Sequence, residues 1–434
     1  MIQNITVSAI MCLLLLAAGH VLVPADKHKK TYLILTFIGL LFRIAVVMYL
    51  YAQGVDTVGT DGLSYHMAGI WISNQLDQGV PLFKVQYVYT LYTVVVGLVY
   101  HIFGINRYFV SYINIALTFF SAILLLRSAL AHKYKFTNAS FISLAFFFFP
   151  NLMLWTADSR KEAFTIFLCV LCMYCVQKYI MKETSFTEHS HLSAKAYAGS
   201  LMSICAVCIL MWLGTLIRIY MFVPMAAGVL TSLLLMYRKR RLKRYLGFGL
   251  IVIVCSLLIF FFTVNPLLES YHAIAFPDDI GDFGVDFANK VNQIKLLASN
   301  RNIIISAANY FLLPYPGSTG IEEISKSTIL NIIVSVDMLF WYGCMLLIAA
   351  GIFFSAKRKE SFLLGILAFL ACYIVINILV VENVSDTIYR YRSVIIGPAL
   401  MFIDRDVIGR LKRHICKPFR RRKESGSTPT SITE

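Results

Sequence analysis

Two kinds of residue in this chain could do chemistry, and both stand at the edges of apolar runs. The first are carboxylates. Asp61 lies in the polar island Gly59-Thr60-Asp61-Gly62-Leu63-Ser64-Tyr65-His66, with Asp56 a weaker candidate just before it, and Asp158 and Glu162 lie in Trp155-Thr156-Ala157-Asp158-Ser159-Arg160-Lys161-Glu162. The second are cations: Arg160 and Lys161 in that same patch, Arg218 in Arg218-Ile219-Tyr220, and Arg390 and Arg392 in Tyr389-Arg390-Tyr391-Arg392. A carboxylate beside a cavity can take a proton from a hydroxyl or hold a divalent cation such as magnesium or manganese through its oxygens. A guanidinium offers paired donors to a phosphate and stays charged at any working pH. Plainer roles also fit each residue alone: a solvated loop acid, an arginine snorkelling to the headgroups, or a helix start laced with charge pairs. What sets Asp61 apart is its company, since a carboxylate at the mouth of a membrane helix must stay wet, pair or bind something.

The elements that position these residues are membrane helices. The chain has 434 residues, of which 59% are hydrophobic and 14% charged. Several apolar stretches exceed the roughly 18 residues a bilayer crossing needs. The pattern predicts an all-α, polytopic helical bundle of about eleven spans over residues 1–403, followed by a basic tail at 404–434 with a disordered end. The first run, Thr6–Val23, lacks a basic start and a small-residue cleavage site, so it reads as a retained helix. Tyr32–Tyr51 follows, then Val88–Phe103, Tyr108–Leu130, Ala139–Leu154, Phe164–Tyr179, Tyr197–Ile217, Met221–Met236, Leu246–Val264, Thr328–Phe354, Phe362–Val381 and Ser393–Ile403. Tyr65–Gln75 is expected to form an interfacial helix.

Charge sets the expected sidedness. The formal net charge of +16 comes from short basic segments between apolar runs, such as Asp26–Lys30, Arg238–Arg244 and Lys357–Lys359, and from the tail. That is the distribution of cytoplasmic loops meeting anionic lipid, not of a nucleic-acid binder. It predicts a bacterial inner-membrane protein with a cytoplasmic C-terminus and external loops at about 53–87, 155–162, 265–327 and 382–392. One parity conflict follows: full crossings by both Val88–Phe103 and Tyr108–Leu130 would put His132-Lys133-Tyr134-Lys135 outside and Asp158 inside. A partial crossing by the short, Tyr-led Val88–Phe103 removes the conflict. Nine of the ten Cys lie within apolar segments, including Cys169-x-x-Cys172-x-x-Cys175, and read as packing residues. His189 and His191 read as part of a polar connector. Pro314-Tyr315-Pro316-Gly317 forces a turn.

Taken together, an acid to activate a hydroxyl and cations to steady a leaving phosphate are what glycosyl transfer from a phosphate-linked donor requires. The order of motifs then resembles a family. An Asp-bearing external loop leads into Tyr89-Thr90-Leu91-Tyr92 and Tyr100-x-x-Phe103-Gly104. Phe149-Pro150-Asn151 follows with Trp155-x-x-Asp158-x-x-Lys161-Glu162, then Leu216–Tyr220, the Pro-Tyr-Pro loop, and Tyr-Arg-Tyr-Arg ahead of Pro398. Over roughly residues 32–403 this is similar to bacterial polytopic glycosyltransferases of the GT-C type, related to protein mannosyltransferases and aminoarabinose transferases. The resemblance implies Asp61 as catalytic base or metal-site acid, and Asp158 or Glu162 as a second acid. It also implies a polyprenyl-phosphate-linked sugar donor and a site facing away from the cytoplasm. Tyr65, His66, Arg160, Lys161, Arg218, Tyr220, Arg390 and Arg392 would contact substrate or phosphate. The chain departs from the family in having no Asp-Asp or Asp-Glu pair in the first loop and no large soluble C-terminal domain. The first half also resembles exopolysaccharide and O-antigen polymerases, which join undecaprenyl-linked repeat units. A lipid-linked saccharide flippase is a third reading, which an internal repeat would support and the sequence does not show.

Overall fold

The computed structural model describes residues 2–52, 60–85, 91–186, 194–240, 254, 303–317, 328–358, 361–380 and 385–403. Asp56, His189, His191, most of the 265–327 loop, Glu382 and the tail lie outside the described residues, as does the side chain of Asp61. The described chain is helical. In order, α1 is Ile2–Leu22, α2 Lys29–Ala52, α3 Thr60–Asp77, α4 Leu91–Phe103, α5 Arg107–Ala131, α6 Phe136–Phe147, α7 Pro150–Ala157 and α8 Glu162–Phe186. Then come α9 Ala194–Ile217, α10 Phe222–Arg240, α11 Ile303–Leu312, α12 Thr328–Arg358, α13 Ser361–Val380 and α14 Ser385–Leu400. Among the described residues, five helices are long and apolar enough to cross a bilayer unaided, and α6 with α7 makes a sixth if the bent pair is one span. Shorter apolar helices account for α1, α4, α9, α10 and α11.

Contacts fix the direction in which each helix runs. Tyr51 near the end of α2 stacks on Tyr108 at the start of α5, with ring centroids 4.3 Å apart. At the far end of α5, His132 packs on Phe362 at the start of α13 (4.9 Å), and Tyr134 donates to the Met401 carbonyl just past α14 (3.1 Å). One end of the bundle therefore gathers the end of α2, the starts of α3 and α5, and the turns after α7 and α9. The other end gathers the α5–α6 loop, the start of α13 and the end of α14.

The run expected to cross only in part, α4, packs at the start of α5. The Tyr92 hydroxyl at its start meets Asn114 of α5 (3.4 Å), and Phe103 at its end stacks on Phe109 of α5 (5.4 Å). Residues 109 and 114 are about 8 Å apart along a helix axis, whereas 13 residues of helix span about 20 Å. So α4 lies across the first turns of α5 instead of running down its length. It packs alongside α3, Tyr65 meeting Tyr92 edge-on at 5.4 Å.

The expected span Ala139–Leu154 is broken. At Phe148-Phe149-Pro150 the axis turns by 48° between α6 and α7. Pro150 supplies no backbone N–H and cannot continue α6, but it suits the first position of a new helix, which it occupies here. The break is packed: Phe146, Phe147, Leu152, Leu154 and Trp155 are fully buried. Its effect is to bring the turn after α7 into the interior of one end of the bundle, not onto its surface.

Candidate functional site

The site is built on the turn from Asp158 to Glu162. Asp158 caps the end of α7 in extended backbone, and Glu162 opens α8. Asn114 of α5 holds this turn from behind, its amide donating to the carbonyls of Asp158 (2.8 Å) and Arg160 (3.0 Å). Asp158, Ser159, Arg160 and Glu162 are all buried. Burial on this scale is costly for charges unless they are paired, and they are. Asp158 Oδ1 accepts from the Ser159 N–H (2.6 Å) and Oδ2 from Arg160 Nε (3.1 Å). The Arg160 guanidinium also lies over the Trp155 ring, 4.8 Å from its centroid.

Glu162 gathers arginines from two distant parts of the chain. Its Oε1 accepts from Arg218 Nη2 at the end of α9 (2.5 Å) and lies 3.6 Å from Arg390 Nε of α14. Arg218 also donates to the Tyr220 hydroxyl (2.6 Å). The Tyr391 ring sits between both guanidiniums, 4.5 Å from Arg218 and 5.1 Å from Arg390. Burial pushes the Tyr220 phenol up to about 12, so it stays a neutral hydroxyl beside these cations. Burial works against charge on Arg218, but Tyr220 and Glu162 more than offset it and hold its proton above the ordinary arginine range.

The island after Asp61 closes the cluster from above. A Cβ on Gly62 would collide with both carboxylate oxygens of Asp158, so the first turn of α3 rests on that carboxylate because residue 62 has no side chain. Lys161 lies over the Tyr65 ring at 5.3 Å, and His66 Nδ1 bonds the Tyr100 hydroxyl of α4 at 2.7 Å. Asp61 is in this same first turn, next to the residue that touches Asp158.

The fold thus brings together Asp158, Arg160, Lys161, Glu162, Arg218, Tyr220 and Arg390, with Tyr65 and His66 on the adjoining α3. Arg392 is elsewhere. Its guanidinium donates to the carbonyls of Tyr310 (2.8 Å) and Leu313, contacts Met338 Sδ (3.1 Å) and lies over Trp341. It ties the end of α11, and with it the Pro-Tyr-Pro turn, to α12 and α14. Two residues that mattered were passed over in the sequence: Arg43 inside α2 and Asp337 inside α12, both buried. The signal was present, since each is a lone charge within an apolar run.

In the cluster, four cations face two carboxylates among the described residues: Arg160, Lys161, Arg218 and Arg390 against Asp158 and Glu162. Buried Nη1 of Arg160 has no hydrogen-bond acceptor. This arrangement is ready for an anion. Both carboxylates are engaged by arginines, and among the described residues no group of three His, Cys, Asp or Glu side chains could hold a metal ion. A metal through Asp61 therefore rests on a side chain outside the described residues.

No protein-family model and no curated protein matches the chain. Two solved structures are similar to the chain. Both are of ArnT from Cupriavidus metallidurans, one bound to undecaprenyl phosphate and one in the apo state. Identity is 13% in each case, with TM-scores of 0.35 and 0.36; the alignments cover 87% and 86% of this chain and 79% and 77% of those. A superposition this loose equates no residue of one chain with a residue of the other. The chemistry of the site therefore rests on its own geometry.

Proposed function

We propose that this chain is an integral membrane glycosyltransferase that takes a sugar from a polyprenyl-phosphate-linked donor and transfers it to a cell-envelope glycan or lipid on the extracytoplasmic face. The observation that carries the reading is the gathering of Arg160, Lys161, Arg218 and Arg390 at one end of a membrane bundle, where the buried Nη1 of Arg160 has no hydrogen-bond acceptor among the described residues. A ligand that reaches it must be anionic at the head and tolerate hydrocarbon elsewhere, which describes a lipid phosphate. The basic segments around Lys29, Lys133, Arg240 and Arg358 stand at the opposite ends of the same helices, which supports an extracytoplasmic cluster under the positive-inside rule.

The charge count also suits the reaction. A glycosyl phosphodiester carries one negative charge; when the anomeric C–O bond breaks, its electron pair goes to the phosphate oxygen, and the lipid phosphate left behind carries up to two. The cations therefore bind the leaving group more strongly than the donor, which is what accelerates the step. The acceptor hydroxyl forms the new bond to the anomeric carbon and gives up its proton. In this reading Asp61 takes that proton, while Asp158 and Glu162 serve as counter-ions that hold Arg160, Arg218 and Arg390 in place. Arginine-bound carboxylates are poor bases, and this shifts the second-acid role expected of Asp158 or Glu162 toward positioning.

The test is binding of undecaprenyl phosphate against undecaprenol, followed by native mass spectrometry in detergent. Wild type should retain the phosphate form selectively, and Arg160→Gln with Arg390→Gln should weaken it about tenfold or more, the loss of one charge-assisted contact corresponding to about 1.5–3 kcal/mol. Equal retention of both lipids would refute the reading. In a complemented deletion strain, Asp61→Asn should leave an envelope glycan short of one sugar. A single repeat unit without long chains would instead indicate a polymerase.

A further inference from the structure

Among the helical hydrogen bonds lost at the break between α6 and α7 is the one from Asn151 to Phe147, and its two halves have been taken up by charged side chains from other helices. In an unbroken helix the Asn151 N–H would bond the Phe147 carbonyl, four residues earlier. Instead Asn151 N–H donates to Asp337 Oδ1 of α12 at 2.8 Å. The Phe147 carbonyl accepts from Arg43 of α2, at 2.6 Å from Nη2 and 3.2 Å from Nε. Arg43 also donates to Thr156 Oγ1 (2.6 Å) and the Leu152 carbonyl (3.3 Å), both on α7. The residue at the N-cap of α7 is Phe149, whose side chain accepts nothing, and Pro150 has no N–H. Asp337 therefore supplies the cap that the local sequence lacks. Both charges are buried, Arg43 at 1% exposure and Asp337 at 0%.

We infer that Arg43 and Asp337 are positioning residues for the cation cluster, acting through α7. This inference rests on the phosphate-binding reading given above. Helix α7 is eight residues long, so Asn151 lies only about 10 Å along the axis from Asp158. The two groups that seat the Arg160 guanidinium, the Asp158 carboxylate and the Trp155 ring, both belong to α7 or its cap. The Asn151 side chain adds a third tie, donating to the Tyr389 carbonyl next to Arg390 (2.8 Å). A shift of α7 by a fraction of a turn would carry Trp155 and Asp158 away from the arginines on α9 and α14. One side chain must donate and the other accept, because one half of a broken hydrogen bond is a donor and the other an acceptor.

The experiment separates this role from general stability. Hydrogen exchange of full-length protein in detergent is read over residues 151–165 and, as a control, over α13. Asp337→Leu should speed exchange in residues 151–165 at least about tenfold, the factor that 1.4 kcal/mol represents, with α13 unchanged. Asp337→Asn keeps the acceptor oxygen and should restore near-wild-type exchange. Arg43→Met should reproduce the Leu phenotype. In the binding assay, Asp337→Leu should weaken undecaprenyl phosphate about tenfold and Asp337→Asn should rescue it. Uniform acceleration across α13 would reduce both residues to general packing and overturn the inference, as would an Asn variant as defective as Leu. If wild type retains no undecaprenyl phosphate, the functional reading fails by itself. The exchange data would still decide whether these residues place α7.

Discussion

The contacts around Glu162 predict an unequal response to breaking its ion pair from either side. Glu162→Gln keeps the shape and an acceptor oxygen but removes the charge that two arginines face. Arg218 has no second carboxylate among the described residues; the Tyr220 hydroxyl and the Tyr391 ring are what remain to it. Arg218→Met, by contrast, leaves Glu162 with Arg390 at 3.6 Å. Opposite charges about 4 Å apart at an effective dielectric near 20 interact by about 4 kcal/mol, and stripping one partner from a buried pair costs about 3–5 kcal/mol. Glu162→Gln should therefore destabilise by about 3–4 kcal/mol, and Arg218→Met by about 1–2 kcal/mol less. The double variant should cost less than the two singles summed, with a coupling of about 2–3 kcal/mol. Reversible unfolding in mixed micelles, run on all four proteins, measures each value. A coupling under about 0.5 kcal/mol would place the pair in water and remove the basis for a buried anion cluster. Equal costs for the two singles would refute the bridging position of Glu162 between Arg218 and Arg390.

Other outcomes follow from neighbouring contacts. Gly62→Ala in an ordinary helix would stabilise by up to about 1 kcal/mol; here the added methyl strikes the Asp158 carboxylate, so the variant should lose about 1–3 kcal/mol, and thermal unfolding gives the sign directly. Arg392→Met should lower stability by about 1–3 kcal/mol as two carbonyls lose their donor, yet leave undecaprenyl phosphate affinity within about twofold; a tenfold fall would return Arg392 to the ligand. His132 is pushed down to about 4 by burial against its ordinary 6.5. The unfolded chain takes up the proton first, so stability is full above pH 6.5 and falls by up to about 3 kcal/mol as pH drops toward 4. Unfolding midpoints of wild type and His132→Gln across that window should converge at low pH.

The helical membrane architecture was legible because hydropathy over twenty residues is a strong signal. The break at Pro150 was less so. Composition across residues 139–154 stays apolar through it, and only Phe-Pro at its centre hinted that the run was two helices. The polar patch from Asp158 to Glu162 was legible as a set of residue types, but not as a buried turn, because burial there depends on Asn114, Gly62 and Trp155 arriving from elsewhere. Arg392 shows the limit of reading by neighbourhood. It stands two residues from Arg390, yet on a helix that offset turns the side chain about 200° away, toward the α11 carbonyls and away from Glu162. Arg43 and Asp337 were missed for the opposite reason. Each sits alone in an apolar run, and the partner that explains it is a backbone group over a hundred residues distant.

The Glu162–Arg218 pair also has a bearing on biogenesis. The two residues are 56 positions apart in the chain. At a synthesis rate of about 5–20 residues per second, Glu162 emerges roughly 3–11 seconds before its partner. Until then Glu162 lacks its Arg218 partner, so α8 takes its settled place when α9 arrives as the second arm of a hairpin. For a chain inserted as it is made, the unit handed to the lipid is the α8–α9 hairpin, and Arg390, arriving last, closes a charge centre whose first half was already in the membrane.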